Sequence, residues 1–418
     1  MVETIDTLVV GAGQAGIAAS AHLSRLGIAH LVVEKDRVAE SWRTRRWDSL
    51  VANGPAWHDC FPEMQFPQSG PEDFPPKEEV AQALAQFARA HKAPIRTGVE
   101  VWAMSRLSGR SGFGVETAQG RIEAQNVVCA TGAFQTPVLP DLIPKAAGIN
   151  QLHSAHYRNP GQLDDGAVLV VGAGSSGGQI ADELQRAGRK VYLCVGPHDR
   201  PPRRYRGRDY CWWLGVLGLW DLPAKAPGTE HVTISVSGAR GGETVDFRRL
   251  AHDGMTLLGR ASGFVEGSLV LDGDLADNIA AGDANYLDML HQADAYIARF
   301  GLDLPPEPHA HHLPDDPDCL TNPIRELNLS DAGVTSVIWA TGYRQDFSWI
   351  DVPGALRDDG SPLHQRGVSP EPGLFFLGLP WQSRRGSTFI WGVWHDAAHV
   401  ADQIEIQRRY RDYRPAIA

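Results

Sequence analysis

Short apolar runs that end in glycine punctuate the chain, and the first lies in TLVVGAGQAGIAAS, Thr7 to Ser20. Leu8–Val10 has no polar residue to turn toward water, as a strand buried on both faces requires. Apolar positions then open to a three-to-four-residue spacing from Ala15 to Leu26, which predicts a helix, and close again at His30–Glu34, a second strand. The same strand, glycine turn and helix return in VLVVGAGSSGGQIADEL, Val168 to Leu184, with the strand KVYLCVG after it. Between the two βαβ units, Pro75 and Pro76 introduce a helical period over Glu78–His91. Alternating positions in Val99–Leu107, Phe113–Thr117 and Arg121–Cys129 predict a β-meander closing on VVCATGA, and proline-rich residues 137–144 read as a linker.

Past the second unit the pattern is less regular. Pro201–Pro323 holds aromatic residues near Tyr210–Trp220, expected strands around 231–272 and an amphipathic helix over Asp274–Phe300. A last strand, SVIWATGY (Ser336–Tyr343), echoes VVCATGA and suggests that the chain crosses back into the first domain there. The expectation is an α/β protein of two Rossmann-like dinucleotide-binding domains. Residues 1–160 and 331–418 form the first; residues 161–330 form the second, with an insertion over 205–325 that lines the substrate.

Composition narrows the function without naming it. A chain of 418 residues is too long for one small core, and 43% hydrophobic with 21% charged residues fits a globular enzyme. The net charge of −11 argues against nucleic acid or an anionic membrane as partner. Five scattered cysteines without a CxxC pair point to a reducing compartment and exclude a local redox dithiol. The N-terminus lacks a basic region followed by an apolar core, so a cytoplasmic protein without a membrane span is expected. HAHHLPDDPDC gathers His309, His311, His312, Asp315, Asp316, Asp318 and Cys319, but its spacing matches no standard zinc pattern; a surface loop, and no metal, is expected.

The chemistry lies in the two glycine turns. In G-x-G-x-x-G after a strand, the first glycine makes the turn, the second admits a pyrophosphate and the third lets the helix pack close. Backbone N–H groups and the helix dipole then hold the anion. Gly11, Gly13 and Gly16 fit, and Glu34 closes the next strand where an acid bonds ribose hydroxyls. Gly172, Gly174 and Gly177 repeat the pattern, with Ser175 and Ser176 adding hydroxyls, but no acid ends KVYLCVG. Instead RPPRRYRGR supplies Arg200, Arg203, Arg204, Arg206 and Arg208, of which Arg203 and Arg204 are the candidates to clasp a 2′-phosphate. A solvated basic loop or structural ion pairs is the alternative. Two dinucleotides in one chain suit a flavin reduced by a nicotinamide, with FAD at the first turn and NADPH at the second.

These motifs resemble the flavin-containing monooxygenases of the two-dinucleotide type, bacterial relatives included, over residues 5–185 and 333–404. The resemblance implies a glutathione-reductase-like FAD domain split around an NADP domain. ESWRTRRWDSLVANGPAWHDCFPEMQFP is similar to the family's segment after the FAD turn, so Trp42 and Arg43 would line the FAD and Asn53 would be the catalytic asparagine beside the flavin. LHSAHYRNP resembles the end of the fingerprint FxGxxxHxxxY through His153, Ser154 and Tyr157, although Ala147 and Ile149 stand at its Phe and Gly positions. Thr131 and Gly132 of the first ATG segment join the cofactor-binding set, as do Thr341 and Gly342 of VIWATGYRQDFSW at the domain crossing. GVWHDAAHVADQI resembles the last helix, whose N-terminus near Asp396 would face the flavin and stabilise its anionic reduced ring.

The activity so implied is NADPH- and O2-dependent oxygenation, through a C4a-hydroperoxyflavin, of a nitrogen or sulfur atom or an electron-rich aromatic in a small substrate. Asn53 would give the peroxide a neutral hydrogen-bond partner in a dry pocket, whereas the plain alternative is that NGP is simply a turn. Tyr157, where ketone-oxygenating relatives carry Trp, ranks heteroatom oxygenation ahead of a Baeyer–Villiger reaction. Trp212 and Trp213 would favour a flat or apolar substrate if their segment lines the pocket. Two other classes are an NAD(P)H-dependent oxidase or electron-transfer reductase, and a non-catalytic flavin- or nucleotide-sensing module.

Overall fold

The computed structural model describes residues 2–223 and 234–414. In the first sheet β1 (Glu3–Val10), β2 (His30–Glu34) and β3 (Ile95–Thr97) run parallel, and β6 (Gly120–Cys129) pairs parallel along the other side of β1. β4 (Val101–Arg106) and β5 (Phe113–Thr117) continue from β6 as the antiparallel meander that alternation predicts. Two late segments complete eight strands: Ile350–Asp351 borders β4, and Leu374–Phe376 joins β6. Leu8 and Val9 are wholly buried because helices cover one face and the meander and late strands supply the core on the other.

The covering helices are α1 (Gln14–Arg25), the short α2 (Glu40–Thr44), α3 (Lys77–Ala90) and the last long helix, Ile390–Asp412. α1 is rich in alanine on its buried side, and small side chains let the last helix lie close along it. There the His22 ring sits 4.3 Å from the Trp394 ring. Burial, with Arg25 nearby, lowers the His22 pKa from 6.5 to about 4.

The second sheet is wholly parallel, in the order Thr256–Leu258, β10 (Val191–Cys194), β9 (Ala167–Val171), Val334–Trp339, β8 (Asn150–His153). The helix α4 (Ser175–Arg186) follows β9, as the glycine pattern predicts. This sheet corrects the boundaries drawn from sequence, because residues 150–153 and 334–339 pair with each other inside the second domain. The ATG echo marks equivalent places in two similar halves, each ATG segment packing its alanine carbonyl against a glycine turn, and the return comes directly after the second one, at Tyr343–Arg344, rather than at residue 331. The chain crosses between halves at β7 (Thr136–Pro137), which pairs antiparallel with Tyr343–Arg344.

Of the strands expected around 231–272, residues 231–233 lie outside the described residues. Thr256–Leu258, Ala261–Val265 and Ser268–Leu271 are strands, but Phe247–His252 is a helix whose first turn is capped by the Asp246 carboxylate. Leu275–Phe300 is the expected long helix. Among the described residues no helix is long and apolar enough to cross a membrane.

Two stability outcomes follow from this packing. A β-carbon on Gly16 would stand 1.8 Å from the Gly11 carbonyl oxygen, whereas one on Gly13 meets nothing within 4 Å. Gly16→Ala is therefore expected to cost about 3 kcal/mol or more and Gly13→Ala about 1 kcal/mol, read from the thermal melts of the two variants. For His22, the unfolded chain takes up the proton first as pH falls, so stability declines from about pH 6.5 down to about pH 4 and not above that window. His22→Phe should flatten this decline, measured as a smaller difference between urea midpoints on either side of the window.

Candidate active site

The two glycine turns are near copies. Gly11 and Gly172 both take φ of +107°, which leaves the left-handed side of the map to glycine. A β-carbon there would strike the Ala130 carbonyl oxygen at 2.6 Å in one half and that of Ala340 at 2.5 Å in the other. Gly177 repeats the constraint of Gly16, its absent β-carbon lying 1.8 Å from the Gly172 carbonyl oxygen. Gly13 and Gly174 cap their helices with extended backbone. Among the described residues the N–H groups of Gln14, Ala15 and Gly16 find no protein acceptor. This cradle of donors fits a pyrophosphate.

Beside the first turn, Gly11, Gly13, Glu34, Lys35, Asp36, and Thr131 line a cleft of about 400 Å³. The Glu34 carboxylate accepts the N–H groups of Ala12 at 2.8 Å and Asp36 at 3.0 Å, which fixes it at the rim where a ribose would lie. Thr131 and Gln135 belong to the lining, and the Gln135 amide donates to the Thr131 hydroxyl and to the carbonyl of Gly132, which lies just behind it in the chain. Trp42 and Arg43 stand on α2. The Trp42 indole donates to Gln14 Oε1 at 3.2 Å, and Arg43 Nε is buried without a partner among the described residues. These features fit an FAD whose adenosine end enters at the cleft.

The second turn departs more from expectation. The Ser175 hydroxyl donates to the Ile234 carbonyl at 2.6 Å, and the buried Ser235 hydroxyl donates to that of Ala173. Ser176 is half-buried at the start of α4. Arg203 is a correction. It is 1% exposed and forks onto Asp209 with Nε at 3.1 Å and Nη2 at 2.5 Å, so it has no face left for a 2′-phosphate. The cause is local: Arg206 and Gly207 both take positive φ, folding a two-residue hairpin that returns Asp209 beside Arg203. Arg200 is likewise buried against Asp283, and Arg206 pairs with Asp294. Arg204 and Arg208 alone of the five are exposed without an ion pair among the described residues.

Arg203 instead reaches Asn53. Its Nη1 donates to the Asn53 main-chain carbonyl at 2.5 Å, and Gln179 of α4 donates its Nε2 to Asn53 Oδ1 at 2.9 Å. The next N–H, of Gly54, donates to Asp59 at 3.0 Å, and a β-carbon on Gly54 would collide with that carboxyl at 2.5 Å. Asp59 also holds His58 Nδ1 at 2.9 Å, while the His58 ring packs against Trp220 and Trp391, which also touch each other. Asn53 thus stands at the seam, held by residues of both halves.

The last helix corrects a further expectation. It starts at Ile390, after Phe389, so Asp396 lies in its second turn. Asp396 is buried and accepts the Ser383 hydroxyl. What faces the seam is the preceding turn Arg385–Thr388: Gln14 Nε2 donates to the Thr388 carbonyl at 2.7 Å, tying the starts of the two helices together. Arg385 Nη2 donates to the Tyr210 hydroxyl at 3.1 Å. Burial raises the Asp199 carboxyl pKa, against the opposing pull of Arg385, and lifts that of Tyr210 to about 12.

Thr341, Gly342 and the fingerprint residues form a joint. Thr341 donates to the Val138 carbonyl at 2.6 Å, and His153 Nε2 lies 2.9 Å from the Gly342 carbonyl oxygen. Tyr157 is fully buried and donates to Glu183 at 2.8 Å, while Ser49 grips the other oxygen of that carboxylate at 2.6 Å. Trp213 is a core residue whose indole donates to the Tyr205 carbonyl, and Trp212 packs on it and on Tyr296, so neither supports the aromatic-pocket expectation. Sequence reasoning missed Gln179, Asp59 and Arg385. Only Gln179 carried a signal, two residues after the last glycine of the turn.

Residues 8–206 match the family model described as pyridine nucleotide-disulphide oxidoreductase. A CzcO-like oxidoreductase of Geobacillus kaustophilus is 33% identical over 97% of this chain and 99% of its own. The indole-3-pyruvate monooxygenase YUCCA1 of Oryza sativa subsp. japonica is 26% identical, covering 97% of this chain and 92% of its own. A solved flavin-containing monooxygenase from Stenotrophomonas maltophilia shares the fold, with a TM-score of 0.67 at 20% identity over 97% of this chain and 99% of that one. Two glycine turns of the dinucleotide-binding kind, in a chain matched over 97% of its length by these relatives, identify it as a member of the flavin-containing monooxygenase family, whose cofactors are FAD and NADPH.

Proposed function

We propose that this enzyme oxygenates a nitrogen or sulfur atom of a small organic substrate, with NADPH as reductant and O2 as oxidant. The reading is carried by Asn53, a neutral carboxamide fixed at the seam with its NH2 unengaged among the described residues. The bound flavin supplies hydride acceptance and the activation of O2. The chain's part is to hold a neutral donor where an acid would hasten loss of peroxide, and to keep carboxylates away from it. Asp59 and Asp209, the acids nearest Asn53 in these contacts, are both consumed in hydrogen bonds.

The cysteines speak against thiol chemistry. All five are unpaired; burial, with Asp59 beside it, raises the Cys60 thiol pKa, and burial pushes that of Cys194 up to about 12. Thiolates, not thiols, carry dithiol exchange. A second reading, oxygen insertion beside a carbonyl, draws on the keto acid in the rice relative's name. Tyr157 acts at the joint between halves, so its identity bears on that joint.

The deciding experiment supplies 18O-labelled O2 and NADPH with amines, thioethers and ketones in turn. Label in an N-oxide or sulfoxide supports the proposal, and label in an ester supports the second reading. Asn53→Ala should raise peroxide released per NADPH by about tenfold or more, as loss of one oriented donor does. Stoichiometric peroxide with every candidate, unchanged by Asn53→Ala, would overturn oxygenation in favour of an oxidase or electron-transfer role.

Nucleotide choice is tested separately. With Arg203 withdrawn, Arg204 is left of the two arginines proposed for the 2′-phosphate. Arg204→Ala should weaken NADP+ binding by about tenfold and leave NAD+ binding unchanged in calorimetric titration. Arg203→Ala should instead cost about 3–5 kcal/mol of stability, because it strands Asp209 in the interior.

A further inference from the structure

Three polar groups in line decide which way the Asn53 amide faces. The Val236 carbonyl oxygen can only accept, so the end of Gln179 that lies 2.6 Å from it is the NH2. The same NH2 lies 2.9 Å from the Asn53 side chain, so the atom it meets there is the carbonyl Oδ1. Asn53 Nδ2 must then point away from α4, and it has no acceptor among the described residues. The main chain cannot swing to undo this. Arg203 holds the Asn53 carbonyl, Asp59 holds the Gly54 N–H, and Gly54 packs against the Asp59 carboxyl.

We propose that Gln179 is the positioning residue for Asn53: it spends the carbonyl end of that amide and so presents the NH2 end to the flavin. This rests on the reading of Asn53 given above. A donor aimed at the ring favours electron density there, while a carbonyl oxygen in its place would oppose it. Gln179 lies one turn into α4, the helix that opens on the second glycine turn. The Asn53 amide is therefore set by the half of the molecule that takes the nicotinamide nucleotide.

The test compares holoenzyme carrying Gln179→Met, Gln179→Glu, Asn53→Ala, and Asn53→Ala with Gln179→Met. Each is read by the reduction potential and visible spectrum of bound FAD without nucleotide, and by peroxide released per NADPH. Gln179→Met frees the amide to turn; the potential should fall and peroxide release should rise by about tenfold, part of the value of an oriented donor. Gln179→Glu can only accept at neutral pH, so it draws the Asn53 NH2 toward itself and should shift both readouts further. In the Asn53→Ala background, Gln179→Met should change neither, as two residues acting as one unit require. Equal shifts in both backgrounds, or no shift at Gln179 while Asn53→Ala moves both readouts, would overturn the role of Gln179 alone. No shift from Asn53→Ala would overturn the role of Asn53 and this inference with it. If Gln179→Met loses its flavin, Gln179→Glu, of the same shape and volume, carries the comparison.

Discussion

Among the described residues, no β-carbon fits between a helix and the turn that feeds it at three places, and the site is built on that exclusion. At Gly16 and Gly177 the helix backbone rests on a carbonyl of its own turn, while the first glycine of each turn is pressed by an alanine carbonyl from the neighbouring strand end. The third place is Gly392, whose absent β-carbon lies 1.7 Å from the Gly386 carbonyl oxygen at the start of the last helix. Close approach of this kind fixes where a helix begins and where its unpaired N–H groups point. Gln14 then joins the starts of α1 and the last helix through Thr388.

The seam itself is polar and almost fully bonded. Burying an arginine and a carboxylate together stabilises little on balance, because desolvation consumes most of their attraction. What Arg203 and Asp209 supply is position: the guanidinium has one direction left, and Asn53 occupies it. A peptide carbonyl, an amide and a carboxylate fix the residues around Asn53 more narrowly than apolar packing would, since each bond has a direction.

Much of this was legible in the amino-acid sequence where the physics is local. Apolar runs long enough to be buried on both faces gave the central strands, and the need for positive φ gave Gly11 and Gly172. Arg203 was misread because its fate depends on a hairpin of two positive-φ residues and on a carbonyl far back in the chain, neither of which an arginine-rich run reveals. Asp396 was misplaced because the resemblance of GVWHDAAHVADQI to a last helix does not fix where that helix begins, and it begins earlier, after Phe389, without a side-chain cap. The boundary near residue 331 slipped because the ATG echo is a property of each half, and similarity between halves says nothing about which half a strand joins.

The joint between the halves carries a consequence for how such a chain came to be assembled. The only strands that pass from one half to the other among the described residues are Thr136–Pro137 and Tyr343–Arg344, and they lie side by side, antiparallel, with Thr136 opposite Arg344. The entry and exit of the whole second half are therefore adjacent. In topological terms that half is a cassette spliced into a surface hairpin of the first. Removing it would leave two chain ends already in register for a short turn, so either half could be exchanged for another of its kind without re-routing the remainder.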